Sequence, residues 1–141
     1  MQIDLIRIIE PILKKAGDKI MEIYNSEKFK VVDYKADDSP LTLADLASNG
    51  EIVEGLSHYF DYPIISEELD NANYQDRKDF KKFWCVDPLD GTKEFINRNG
   101  EFTVNIALIE NNLPVFGGIY VPDKDVYYFG LQNKGAFKKV G

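Results

Sequence analysis

The sequence is poor in the residues that do the most conspicuous chemistry. It has one cysteine, one histidine, one tryptophan and two methionines in 141 residues. A single cysteine excludes an internal disulfide and suits a reducing compartment. Cys85 stands in the apolar run Phe83-Trp84-Cys85-Val86, so it is expected to be a buried small hydrophobe and not a reactive thiol. His58, the one histidine, falls near the end of an expected helix. It is read as exposed and given no catalytic role. A phosphohistidine mechanism therefore has no candidate, which favours activated water.

Long apolar runs are also missing. None approaches the ~20 residues that span a bilayer. The start, Met1-Gln2-Ile3-Asp4-Leu5-Ile6-Arg7, lacks the basic segment and apolar block of a signal peptide. The expectation is a soluble, cytoplasmic protein with no membrane insertion. Positive charge is scarce as well: 17 Lys and Arg face 24 Asp and Glu, a formal net charge of −7. Phosphate backbones attract basic surfaces, so a nucleic-acid polymer is disfavoured as a partner. A small phosphorylated substrate remains compatible, provided that something neutralises it. Divalent cations held by clustered carboxylates would do so.

What is present is enough for one domain with a real core, because 44% of the residues are hydrophobic and 13% aromatic. Ile3, Ile6, Ile9, Leu13, Ala16, Ile20 and Ile23 recur at steps of three and four, which predicts a helix over 3–24. Pro11 conflicts with it and should kink the helix or mark a start near residue 10. A short strand is expected over 29–34 and a polar turn over 35–40. A second helix should start at Thr42, with Leu46, Val53, Leu56 and Phe60 facing one way. Gly50 weakens that helix by about 1 kcal/mol relative to alanine.

Pro63-Ile64-Ile65 reads as a short buried strand, and the charged stretch 70–82 as a mobile surface loop. From Phe83 onward the pattern is β, with turns at Asn111-Asn112-Leu113-Pro114, Pro122-Asp123-Lys124-Asp125 and Asn133-Lys134-Gly135. Gly117-Gly118 within a strand suggests a bulge or a close backbone approach. Successive hairpins give the fold class: α+β, a mostly antiparallel sheet with two long helices packed on one face.

The most informative segment is Trp84-Cys85-Val86-Asp87-Pro88-Leu89-Asp90-Gly91-Thr92-Lys93-Glu94-Phe95. Pro88 pushes Asp87 into extended backbone. A type I turn over Asp87 to Asp90 would bring both carboxylates toward one point, beside the Leu89 carbonyl. A hard cation such as Mg²⁺ takes this oxygen set. Gly91 permits close approach, and the Gly91 and Thr92 amides, opening a short helix, suit a phosphate. A plain turn with surface aspartates describes Asp-Pro-x-Asp alone equally well.

Three other groups carry two readings each. Glu67-Glu68 follows a buried strand and also suits a helix first turn capped by Ser66. Asp45 fits a capping box with Thr42. Lys93-Glu94 is an exposed helical pair or, through Lys93, a contact for a second phosphate.

Taken together, these segments resemble the inositol monophosphatase superfamily of magnesium-dependent phosphomonoesterases. The Gly-Thr-Lys-Glu-Phe ending looks most like its CysQ-type 3'(2'),5'-bisphosphate nucleotidase branch. The likeness also takes in Ser39-Pro40-Leu41-Thr42-Leu43-Ala44-Asp45, Lys14-Lys15-Ala16-Gly17-Asp18-Lys19-Ile20, Gly117-Gly118-Ile119-Tyr120-Val121-Pro122 and Lys134-Gly135-Ala136-Phe137. The resemblance implies the N-terminal half of a sugar-phosphatase αβαβα sandwich, with 1–141 as a metal-binding domain. A C-terminal half would hold a further metal-ligating aspartate and much of the substrate pocket. Its absence implies an uncovered sheet edge or face, open to association or a homodimer.

By the same resemblance Glu67, Asp87, Asp90 and the Leu89 carbonyl hold two or three Mg²⁺ ions, for which Ca²⁺ or Mn²⁺ can substitute. Glu68 binds through water. Activated water attacks phosphorus in line, Thr92, oriented by Asp45, helps take its proton, and Gly91, Thr92 and Lys93 bind substrate. The implied reaction converts 3'-phosphoadenosine 5'-phosphate to AMP and phosphate. Inositol monophosphatase activity is the alternative, and a catalytically incomplete metal-binding half-domain is another.

Overall fold

The structure, a computed structural model, describes residues 4–26, 31–34, 40–66 and 79–141. Helix α1 spans Leu5–Tyr24 and is capped by Asp4, whose carboxylate accepts from the Arg7 amide. Ile9, Ile12, Leu13, Ala16 and Ile20 form its buried stripe. The helix does not start near residue 10 but runs through Pro11. Pro11 and Arg7 both lie on the exposed side. The Arg7 carbonyl, deprived of its amide partner, therefore faces water and not the core.

Strands β1 (Val31–Tyr34) and β2 (Pro40–Thr42) form a small antiparallel pair. The sequence shows β1 but reads Pro40 as the end of a turn; the intervening 35–39 lie outside the described residues. Helix α2 (Leu43–Tyr59) starts where expected, with Thr42 as its N-cap. Its stripe differs from the expected one. Leu56 and Phe60 are buried, but Leu46 is exposed and Val53 half-buried. The buried face instead runs Asp45, Ser48, Asn49, Ile52, Leu56, polar at its N-terminal end and apolar at the other. His58 is exposed, as expected.

Six strands follow: β3 (Ile64–Ser66), β4 (Lys82–Asp90), β5 (Thr103–Glu110), β6 (Leu113–Val121), β7 (Val126–Leu131) and β8 (Gly135–Val140). They lie side by side in chain order, β3 parallel to β4 and the rest antiparallel. The charged stretch read as a surface loop lies mostly outside the described residues. A short helix, α3 (Thr92–Ile96), separates β4 from β5. The β5–β6 hairpin closes on Asn111 and Asn112 alone, both at positive φ (52° and 66°). That is the two-residue turn whose twist matches the strands, and asparagine tolerates it. Leu113 and Pro114, expected in the turn, already belong to β6.

Both long helices pack on one face of the sheet, α1 over β5 and β6, α2 over β4. Gly17 makes the first contact possible, because a Cβ there would lie 2.2 Å from the Tyr120 ring. Burial, reinforced by a hydrogen bond to Asp125 (2.8 Å), pushes the Tyr120 hydroxyl above the ordinary tyrosine range. Gly118 lets Leu13 approach β6, whereas Gly117 faces the opposite side, so the expected close approach belongs to one glycine of the pair. On that opposite side Cys85, Ala107, Gly117, Gly130 and Ala136 stand in one register row from β4 to β8. They floor a shallow trough walled by Ile119 and Tyr128.

Cys85 is thus exposed, against expectation. Trp84 and Val86 take the helix-covered face, and strand alternation turns Cys85 to the other. An apolar run hides that alternation. Among the described residues no helix is long and apolar enough to cross a membrane.

Candidate metal and phosphate site

The helix-side support of the site is α2. Thr42 and Asp45 form a full capping box: the Thr42 amide donates to Asp45 Oδ2 (3.0 Å) and the Asp45 amide donates to Thr42 Oγ1 (3.3 Å). The Thr42 hydroxyl also donates to Asp45 Oδ2 (2.6 Å). The other carboxylate oxygen, Oδ1, accepts from the Thr92 hydroxyl (3.2 Å). Asp45 has no exposed surface. The two sequence readings of this residue therefore coexist: it caps α2 and it holds Thr92.

Two further polar residues of the same face were not singled out in the sequence. Ser48 donates to the Pro88 carbonyl (2.6 Å), and Asn49 Oδ1 accepts from Ser66 (2.7 Å). Positions 45, 48 and 49 are one helical turn, so one face of α2 grips three separate segments: the start of α3, the middle of the Asp87–Asp90 segment, and the end of β3. The signal was available. Ile52 and Leu56 set the buried phase, and counting upstream by three and four reaches Ser48, Asn49 and Asp45.

The Asp87–Asp90 segment is not the isolated turn expected from its sequence. It remains strand, with a bulge. Asp87 pairs with Asn105 and Asp90 with Thr103, so four residues of β4 oppose three of β5. In a regular strand, residues three apart point to opposite faces. The extra residue cancels that inversion. Asp87 and Asp90 consequently share the face of Asn105 and Thr103, the one away from α1 and α2. Pro88 is tolerated in a central strand because it sits in the bulge. Leu89 is anchored with its side chain in the core, and its carbonyl lies 3.3 Å from the Thr92 hydroxyl.

Gly91 follows at φ 90°, left-handed backbone that favours glycine, and a Cβ there would lie 2.9 Å from the Glu101 carbonyl. Thr92 is buried, Lys93 exposed and Glu94 half-buried. Phe95, packed on Tyr24 and Phe102 (ring centroids 5.3 and 5.4 Å apart), fixes α3 and with it Thr92. Arg98 Nη1 donates to the Tyr24 carbonyl (2.6 Å), tying the end of α1 to the same corner. Asp90 accepts from Asn105 Nδ2 (3.2 Å). Among the described residues no group of three His, Cys, Asp or Glu converges. Glu67 and Glu68 lie outside those residues.

Comparison with known proteins agrees with this architecture. The chain is 47% identical over 129 residues to the 3'(2'),5'-bisphosphate nucleotidase CysQ of Salmonella typhimurium, covering 91% of this chain and 52% of that protein. It is 51% identical over 116 residues to CysQ of Buchnera aphidicola, covering 82% and 43%. Among solved structures, CysQ from Bacteroides thetaiotaomicron superposes with a TM-score of 0.79 at 48% identity, over 92% of this chain and 46% of that one. The chain thus spans about half the length of the curated relatives it matches. A sequence profile of the inositol monophosphatase family matches residues 2–140, and the chain belongs to that family.

Proposed function

We propose that this chain forms the metal-binding part of an Mg²⁺-dependent phosphomonoesterase that cleaves 3'-phosphoadenosine 5'-phosphate to AMP and phosphate. The observation that carries the reading is the β4 bulge, which turns Asp87 and Asp90 to one face of the sheet beside α3. Identity of 47–51% to CysQ nucleotidases supports the substrate class.

The donor set fits a hard divalent cation. It consists of oxygens only: the Asp87 and Asp90 carboxylates, the Leu89 carbonyl and, from outside the described residues, Glu67, with Glu68 acting through water. When bound, such ions polarise phosphoryl oxygens and lower the pKa of water. The chain's own residues do the rest. Thr92 has one hydroxyl hydrogen and two acceptors in reach, Asp45 Oδ1 and the Leu89 carbonyl. Donation to Asp45 leaves the Thr92 oxygen free to accept from attacking water, and as that water's proton reaches Oγ1 the hydroxyl's own proton passes to Asp45 Oδ1. The capping box holds Asp45 still, so the Thr92 hydroxyl is aimed before substrate arrives. Gly91, without a side chain, lets the link from β4 to α3 pass close to the Glu101 carbonyl and so sets where α3 starts. Lys93, exposed next to this corner, is a cation for the second phosphate of a bisphosphate.

Phosphate release from 3'-phosphoadenosine 5'-phosphate and from inositol 1-phosphate tests this. It should be measured on the chain alone and on the chain extended to the length of its CysQ relatives. Faster turnover of inositol 1-phosphate would overturn the nucleotidase choice. No Mg²⁺-dependent release from the extended protein would overturn the phosphatase reading. Release from the extended protein alone would make the 141-residue chain a metal-binding half-domain.

A further inference from the structure

Asn105 is the polar neighbour of the proposed metal ligands on the strand beside them. It stands opposite Asp87 in the β4–β5 register, and Thr103 stands opposite Asp90. The hydrogen bonds among them have a fixed direction. An ionised carboxylate only accepts, so the amide nitrogen of Asn105 must face Asp90, as it does (Nδ2 to Oδ2, 3.2 Å). The amide oxygen is then turned toward β5 and accepts from Thr103 Oγ1 (3.0 Å). Thr103 thereby holds Asn105 in one orientation, and Asn105 occupies one of the two oxygens of Asp90.

We propose that Asn105 is a positioning residue that restricts Asp90 to ligation through a single oxygen and so biases the site toward Mg²⁺ over Ca²⁺. The proposal rests on the reading of Asp90 as a metal ligand given above. The chemistry follows from the coordination habits of the two ions. Mg²⁺ requires a near-octahedral shell at ~2.1 Å, whereas Ca²⁺ accepts six to eight oxygens and readily takes both atoms of one carboxylate. The amide engages one lone pair of Oδ2 and leaves Oδ1 the freer oxygen, so a single-oxygen contact suits the smaller ion, whereas bidentate contact with the larger one would have to share or displace the amide's hydrogen bond. Sheet pairing enforces the restriction, since Asn105 is carried by β5 whatever the bound ion.

The test is calorimetric titration of Mg²⁺ and, separately, Ca²⁺ into the 141-residue chain and its Asn105→Ala and Thr103→Val variants. Losing an outer hydrogen-bond partner typically changes metal affinity ~10–100-fold. We expect the Mg²⁺ preference, taken as the ratio of the two dissociation constants, to fall about 10-fold in Asn105→Ala, and less, in the same direction, in Thr103→Val. A merely structural role would weaken both ions by the same factor. An unchanged ratio in a variant that still binds would overturn the proposal. If Asn105→Ala does not fold, Thr103→Val decides by the same ratio, because it leaves the amide and the strand pairing in place. Failure of the unsubstituted chain to bind either ion would instead overturn the metal-site reading and the proposal with it.

Discussion

Asp45 and Asp90 are two carboxylates of one proposed site, held in opposite ways. Asp45 is fully buried at the start of α2 and accepts from the Thr42 amide, the Thr42 hydroxyl and the Thr92 hydroxyl. Asp90 is exposed beyond the bulge and accepts from the Asn105 amide at one oxygen. A carboxylate whose lone pairs are met by neutral donors inside the protein is a strut: it holds Thr92 and starts a helix. A carboxylate at the surface end of a strand, with one oxygen steadied, is available to a cation. Residue type does not assign the two tasks; the surrounding donors and burial do.

Substitutions should separate the two. The largest stability effect is expected for Asp45→Ala. It leaves the Thr42 amide and two buried hydroxyls without this acceptor, which costs about 3 kcal/mol; urea unfolding measures it. A loss under 1 kcal/mol would break the distinction between strut and ligand. Ser48→Ala comes next. It removes the donor to the Pro88 carbonyl and so the tether between α2 and the bulge, at about 1 kcal/mol by the same measurement. The smallest effect has the opposite sign. Gly50 lies on the exposed side of α2 with nothing within 4 Å of a built Cβ, so Gly50→Ala should stabilise by about 0.5–1 kcal/mol. Combined with Asp45→Ala it would show whether helix stability alone rescues the site. Recovery of stability without recovery of function would place the importance of Asp45 in its grip on Thr92.

Local chemistry made much of this legible. Asn111-Asn112 and Pro122-Asp123-Lys124-Asp125 name their turns, and Thr42 with Asp45 names the start of α2 to the residue. The obscure features all depend on a partner strand or helix. Cys85 sits among apolar neighbours, so its outward direction is set only by the pairing of β4 with β5. The bulge cannot be seen in Asp-Pro-Leu-Asp itself, because it is a difference in residue count between β4 and β5. Ser48 and Asn49 look like an exposed polar face until the phase of Ile52 and Leu56 is followed through them. Pro11 suggested a kink or a start near residue 10, and the helix that begins before it is tolerated because Pro11 lies on the side of α1 that faces water. The nucleotidase-like motif was plain in the sequence. How its carboxylates come to share a face was not.

The central claim is that the bulge makes Asp90 a metal ligand while Asp45 supports the site from behind. Calorimetric titration of Mg²⁺ into the chain and into its Asp90→Asn variant tests this most directly. The account predicts that Asp90→Asn loses more than the ~10–100-fold typical of an outer hydrogen-bond partner. Wild-type affinity in Asp90→Asn, or no Mg²⁺ binding by the unsubstituted chain, would contradict it.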